Sequence, residues 1–469
     1  MLTPVIVESW EALPASPAEL LARLPRAPHR FLLESQGGPA DITRYSFLGQ
    51  RPFLVFESHG RTLTLREADT VRQWEGDPLD AVETLLARYP IEPRADLPPF
   101  TGGAVGYFSY DLGRQIERLP DTARNDLRLP EIWLAFYDHL LAIDHVTGRG
   151  QVLALPLPRR EAQSIANARE LARLLAMEHP ERRRSEAKPQ SKDAALASNF
   201  THAQYREAVQ CALDHIGAGH VYQVNLAQRF TAPMPCAADE LYQRLRVHNP
   251  APFAAFLDGG EFQVISASPE RFLQFDPLTR RVETRPIKGT RRRGATPAED
   301  AQLKAELLVS EKDAAELVMI VDLERNDLGK ACEYGSVHVP DLRRVEAYPT
   351  VWHTVATVEG QVRANVRRAD LLQATFPGGS ITGAPKIRAM QIIEELEGLR
   401  RHVYCGAMGY LGFDGRLDLN IAIRTLTVKN DLAYFHAGGG IVADSDPEAE
   451  YDETLHKARA LAAALGFEV

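Results

Sequence analysis

Two carboxylate pairs, Asp313 with Glu316 and Glu450 with Glu453, each stand three residues apart, the spacing that puts both members on one face of a helix. Lys457 continues the second row, and the segment just before it, AGGGIVADSD, ends a strand on three glycines, where backbone can come close to a ligand. Carboxylates beside bare backbone suit a hard cation such as Mg²⁺, which takes one or two carboxylates and keeps several waters. Taken alone, the last helix reads more readily as a solvated face with an ordinary Glu–Lys pair. The second acidic pair, immediately before the apolar run LVMIVDL, shifts that reading toward a cation shared between two helices. Asp322, Glu324 and Asp327 follow on the same helix and read as caps and salt bridges around a buried stripe.

Two loops add nucleophilic and anion-binding groups. In Arg285-Pro286-Ile287-Lys288-Gly289-Thr290 a lysine sits between an apolar residue and a glycine after a β-type run. Desolvated beside a bound cation, such an amine would lose its proton and could attack carbon; as an isolated feature it is a solvated loop lysine. The segment from Pro377 to Lys386, PGGSITGAPK, places glycines, two hydroxyls and a lysine before the helix KIRAMQIIEELEG, a setting in which free N–H groups bind anions. Its spacing is not that of a nucleotide P-loop, and a structural turn explains it as well.

The elements that must position these groups are legible. Thr296-Pro297-Ala298-Glu299 predicts a capped helix start with proline in the first turn, Ser310 opens the helix through AAELVMIVDLERNDL, and Asp446-Pro447-Glu448 opens the last helix. Strands are predicted at FQVISAS, VYCGAMGYLG, LDLNIAIRTLTV and LAYFHAGG. The charged, proline-containing stretch at 178–195 reads as a linker. It separates an N-terminal region, 1–177, from a region at 196–469 that holds every strong motif.

Composition bounds the function. The chain has 469 residues, 45% hydrophobic and 25% charged, with a net charge of -9. That acidity argues against a nucleic-acid binder, which wants a basic surface, but allows a small anion in a locally basic pocket. No stretch approaches the roughly 18 apolar residues of a membrane span, and the N-terminus lacks a signal-peptide pattern. Four dispersed cysteines read as buried free thiols, so a cytoplasmic protein is expected.

Seven motifs in order, SASPERF, RPIKGTRRRG, AELVMIVDLERNDLG, FPGGSITGAPKIRAMQIIEELE, YCGAMGYLGFDG, IAIRT and AGGGIVADSDPEAEYDETLHKA, resemble the chorismate-utilising enzymes, and FLLES and RYSFLG resemble the N-terminal half of their amino-transferring members. The resemblance implies an α+β fold of two interleaved subdomains, with large, mostly antiparallel sheets packed face to face and helices outside. It implies that Glu316 and Glu453 coordinate Mg²⁺ with Asp313 and Glu450 in support. Glu270 of S-P-E would be the general acid and base at the departing ring hydroxyl. His353 would line the ring site, with Gly289 and Thr290 beside it. Tyr404, Arg424, Gly440 and Lys457 match positions that hold the carboxylates of chorismate, and Ser380 and Thr382 lie in the matching glycine loop.

Two positions bear on which reaction this is. Family members that use water carry a lysine where this chain has Gln223, which cannot serve as that base. Members that make anthranilate read P-I-A-G-T where this chain reads P-I-K-G-T, the pattern of those that aminate ring carbon 4 through a covalent lysine. Lys288 is therefore the expected nucleophile. Ammonia is expected from a separate glutamine amidotransferase subunit, since no spare domain carries a nucleophile cysteine with a downstream H-x-E, and aminobenzoate release from a separate lyase. Ser35, Pro252 and Phe253 resemble the family's L-tryptophan pocket, with Phe253 in place of the tyrosine of inhibited members.

Overall fold

The computed structural model describes residues 2–177 and 195–469, so the linker read at 178–195 lies almost wholly outside the described residues. The described chain forms two 12-stranded sheets, in which the pairings between the named strands are antiparallel, flanked by helices. Each sheet is built from both halves of the sequence. In the first, Phe31–Glu34 pairs with Phe253–Asp258; in the second, Gly103–Phe108 pairs with Ala407–Gly412. The expected interleaved α+β architecture is what the chain adopts.

The sheets face one another across a shared apolar layer. Phe31, Phe47, Leu140 and Val264 of the first sheet meet Val105, Tyr107, Trp133 and Met408 of the second in one buried cluster. Helices cover the outer faces, as two-layer architectures require of any sheet with two apolar faces. Leu317, Val321 and Leu328 of the helix Glu311–Gly329 join the core of the second sheet, and Ala458, Leu461 and Leu465 of the helix Pro447–Leu465 join that of the first.

The helix starts form as read, with one change. Thr296 caps the helix Pro297–Val309 by accepting from the Glu299 N–H, but the Glu299 carboxylate returns to the N–H of Ala295 rather than to the cap itself. Ser310 and Asp446 cap their helices through the N–H groups of Asp313 and of Glu448 and Ala449. The predicted strand LDLNIAIRTLTV breaks in two. Leu417–Ile421 lies in the second sheet and Thr425–Lys429 in the first, and the chain crosses between them at Arg424, whose φ is 51°. A second crossing joins Phe262–Ser268 of the first sheet to Arg271–Asp276 of the second, through Glu270. Of the cysteines, all free, Cys236, Cys332 and Cys405 are buried; Cys211 is exposed on the helix His202–Gly217, which corrects the expectation that all four are core residues. Among the described residues no helix is long and apolar enough to cross a membrane.

Glycine in Gly103–Phe108 has a specific cause. A β-carbon on Gly106 would lie 1.9 Å from the Trp133 carbonyl oxygen of the neighbouring strand. Gly106→Ala must push the two strands apart, and is expected to cost at least ~1–3 kcal/mol, read as a lower urea midpoint; an unchanged midpoint would mean the strands tolerate the spread.

Candidate functional site

The two crossings are tied together. Ile421 donates its N–H to the Glu270 carbonyl at 3.0 Å, Ala267 donates to the Arg424 carbonyl at 3.0 Å, and the Ser268 hydroxyl donates to the Ile421 carbonyl at 2.6 Å. Glu270 and Arg424 are thereby held side by side at the seam where the sheets part. Glu270 is 4% exposed. Burial pushes its carboxyl up to about 7, against the pull of Ser380, Lys288, the Ile287 N–H and Lys457. Arg424 is half-buried and has no carboxylate partner among the described residues; burial holds it below the ordinary guanidinium range.

The second sheet brings Lys288 and His353. Lys288 is the second residue of the strand Ile287–Arg292, with its Nζ 3.8 Å from Glu316 Oε2 and its carbonyl accepting from the Thr354 hydroxyl. Gly289 follows at φ 92°, and a β-carbon there would meet Thr354 Oγ1 at 2.6 Å and Asp313 Cγ at 3.0 Å, so the helix bearing Asp313 and Glu316 can lie directly on this strand. Thr290 Oγ1 and His353 Nδ1 share a hydrogen bond of 2.9 Å. Burial first, then the charge of Arg424, lowers His353 to about 4, so its ring is neutral at neutral pH.

The first sheet brings the other carboxylates. A β-carbon on Gly439 would come within 3.0 Å of Glu450 Oε2 and 3.2 Å of Glu453 Oε1, so both acids rest against bare backbone. Lys457 pairs with Glu453 at 2.5 Å and donates to the Gly438 carbonyl at 2.8 Å. Lys457, burial and Lys288 all act on Glu453, and the net effect is a lowered carboxyl. Glu450 accepts from the Ser445 hydroxyl at 2.6 Å and is raised by burial; Asp313 accepts from Arg291 at 3.2 Å. Gly440 leaves room for the Gln223 carboxamide, 3.0 Å from its virtual β-carbon. Tyr404 is buried in a stack on His436, ring centroids 4.8 Å apart.

The chain thus gathers Glu270, Lys288, Glu316, Glu453, Lys457, His353, Arg424 and Tyr404 around one seam. The four acids do not converge into a cage: among the described residues no three His, Cys, Asp or Glu side chains stand close enough to hold a metal together. Lys288 and Lys457 pair with Glu316 and Glu453 instead. The donor chemistry fits Mg²⁺, since Glu316 and Glu453 supply hard oxygens from two helices and the Gly439 backbone leaves space, whereas Asp313 and Glu450 are engaged by Arg291 and Ser445.

Within the glycine loop, the Thr382 hydroxyl turns inward to the Gly378 carbonyl at 3.0 Å. Ser380 is buried; its hydroxyl has no hydrogen bond of ordinary geometry, although it lies near enough to Glu270 to favour the carboxylate. Lys386 is not available to an anion, because its Nζ is bound by Asp327 at 2.5 Å and by the carbonyls of Thr375 and Pro377. Glu324, read from sequence as part of a set of caps and salt bridges, is instead a buried carboxyl accepting from the Thr284 hydroxyl at 2.9 Å; sequence reading missed the pair Arg401–Glu397, whose spacing of four at a helix end was the available signal. Apart from this set, a cavity of about 120 Å³ is lined by Ser35, Pro252 and Phe253 together with Met408, Tyr410 and the Arg271–Asp418 ion pair.

The raised carboxyl of Glu270 has a measurable consequence. Between the ordinary value of 4.5 and about 7 the folded protein keeps a proton that the unfolded chain has released, so the native state loses stability as pH rises through that window. Glu270→Gln is expected to remove this loss, making the variant the more stable protein at pH 8 but not at pH 4. Urea unfolding across that range checks it, and parallel curves for both proteins would refute the raised value.

The chain is similar to known proteins over most of its length. The family described as chorismate binding enzyme matches residues 29–463. Aminodeoxychorismate synthase component 1 of Klebsiella aerogenes is 41% identical over 97% of this chain and 98% of its own. Anthranilate synthase component 1 of Acetivibrio thermocellus is 38% identical over 99% and 95% respectively. The crystal structure of anthranilate synthase component I from Streptococcus pneumoniae TIGR4 superposes with a TM-score of 0.77 at 32% identity, covering 89% of this chain and 92% of that one.

Proposed function

This chain belongs to the chorismate-binding enzyme family, and from that premise we propose that it aminates chorismate at ring carbon 4, giving 4-amino-4-deoxychorismate through a covalent Lys288 intermediate. The observation that carries the reading is the position of Lys288: its side chain is 14% exposed, its Nζ pairs with Glu316, and it acts electrostatically on both Glu270 and Glu453. An amine at the centre of the charged set is where a nucleophile toward the ring belongs.

Arg424, without a carboxylate partner among the described residues, and Lys457 offer positive charge to the two substrate carboxylates, with Tyr404 and the Gly440 backbone beside them. When bound by Glu316 and Glu453, Mg²⁺ would add positive charge against the ring carboxylate. The Lys288 amine forms a bond to ring carbon 2, the two conjugated ring double bonds shift round the ring through carbons 1, 6 and 5, and the carbon 4 C–O bond breaks as Glu270 gives its proton to the departing hydroxyl, which leaves as water. Glu270, now a carboxylate, takes the proton that the new secondary ammonium releases. Ammonia then attacks carbon 4, at the other end of the conjugated diene, and both double bonds shift back. The carbon 2–nitrogen bond breaks, and Lys288 recovers its amine with a proton from the incoming nitrogen. An acid raised to about 7 suits this exchange, because it is partly protonated and partly ionised at neutral pH.

The ammonia would come from a glutamine amidotransferase subunit; the designation component 1 of the relatives supports a second component. The cavity lined by Ser35, Pro252 and Phe253 is read as a tryptophan site.

The test is direct. Purified protein with chorismate, Mg²⁺ and an ammonium salt should yield 4-amino-4-deoxychorismate; anthranilate as the product would place the nitrogen at carbon 2 and overturn the assignment. Without ammonia, mass spectrometry should find added mass on the Lys288 peptide. Lys288→Ala should lose that adduct and shift product toward anthranilate, whereas an unmodified peptide with normal Lys288→Ala turnover would end the covalent mechanism. Glu316→Gln or Glu453→Gln should abolish Mg²⁺-dependent turnover in a folded protein, and full activity in either would remove that residue as a ligand.

A further inference from the structure

Beneath the site lies Arg401, an almost completely enclosed arginine. Its side chain is 1% exposed, and that of its partner Glu397 is 4% exposed. The guanidinium donates from Nε to Glu397 Oε2 at 2.9 Å and from Nη2 to Glu397 Oε1 at 2.6 Å, which is a two-pronged ion pair. The remaining donors reach outward to backbone. Nη1 donates to the Ile381 carbonyl at 3.0 Å, and Nη2 also donates to the Asn225 carbonyl at 2.7 Å. Glu397 in turn accepts from the Ala227 N–H at 2.9 Å.

Each of these contacts lands next to a residue assigned to substrate. Ile381 separates Ser380 from Thr382 in the glycine loop. Asn225 is the strand partner of Gly440 and Ala227 that of Gly438, whose carbonyl holds Lys457. The Arg401 carbonyl accepts from the Tyr404 N–H at 3.1 Å, and its guanidinium lies 5.6 Å from the Tyr404 ring centre. One buried ion pair therefore fixes the glycine loop, the Gln223–Pro233 strand and Tyr404 relative to one another. A fork with several donors in one plane is what four acceptors at different angles demand.

We infer that the Arg401–Glu397 pair is the positioning device of the site's carboxylate-binding end, setting the affinity for chorismate without touching the substrate. The inference rests on the reading of Ser380, Tyr404, Gly440 and Lys457 as substrate contacts. Lysine at 401 keeps the charge but not the fork, so the backbone segments lose their common anchor while Glu397 keeps a counter-ion.

Steady-state kinetics of Arg401→Lys and Glu397→Gln separates positioning from plain stability. Misplacement by about an ångström can cost up to ~10²-fold, so Arg401→Lys should raise the chorismate KM by ~10–100-fold, with kcat within about threefold and the KM for ammonium unchanged. Glu397→Gln, which keeps the shape and one acceptor, should give a smaller rise. A purely structural role would reduce the active fraction, lowering kcat with both KM values unchanged, and that result overturns the inference. Failure of both variants to fold, by circular dichroism, would assign the pair to stability alone and overturn it equally. Because chorismate affinity is compared and not product, a wild-type protein that yields anthranilate would defeat the amination reading and leave this comparison standing.

Discussion

The arrangement depends on one constraint: the chain must pass twice from one sheet to the other at the same place. The crossing through Glu270 and the crossing through Arg424 bond to each other through backbone groups of Ala267, Glu270, Ile421 and Arg424 and through the Ser268 hydroxyl. A strand that leaves a sheet gives up ladder partners, and buried N–H and C=O groups without partners are costly. Pairing two departures satisfies those groups at once and opens a seam into which side chains from both sheets project. The left-handed backbone at Arg424 is what the second departure requires, and interactions with neighbouring strands keep it there.

Charge is distributed around the seam so that neither sign stands alone. Glu316 and Glu453 face lysines, Asp313 faces an arginine, and Glu450 a serine hydroxyl. Arg424 breaks the pattern among the described residues, and a half-buried guanidinium without a carboxylate is the natural receptor for an anionic ligand. Beneath, Arg401 with Glu397 and Lys386 with Asp327 are closed pairs that anchor backbone.

The cavity lined by Phe253 and the charged seam share their supports. Arg271, Asp418 and Asn420 line the cavity, while Glu270 and Ile421, their sequence neighbours, form the crossing. Adjacent residues on a strand point to opposite faces, so one pair of strands serves both places.

Much of the site was readable before any fold was known. The i, i+3 acids at 313–316 and 450–453 could share a helix face because helical period alone dictates it, and the caps at Ser310 and Asp446 mark where those helices begin. The ordered motifs sufficed to identify the family, because motif order survives without knowledge of contacts. What sequence could not decide was every relation between distant segments. The run LDLNIAIRTLTV has the composition of one strand, and only the competing claims of two sheets split it at Arg424. Lys386, in a glycine loop before a helix, has the local signature of an anion ligand, but Asp327, fifty-nine residues away, takes its charge. Arg401 looks like one more surface basic residue until Ile381 and Asn225 close around it. Local periodicity and capping are properties of neighbours in the chain, whereas burial, partner and free charge are properties of neighbours in space, and only the folded structure assigns those.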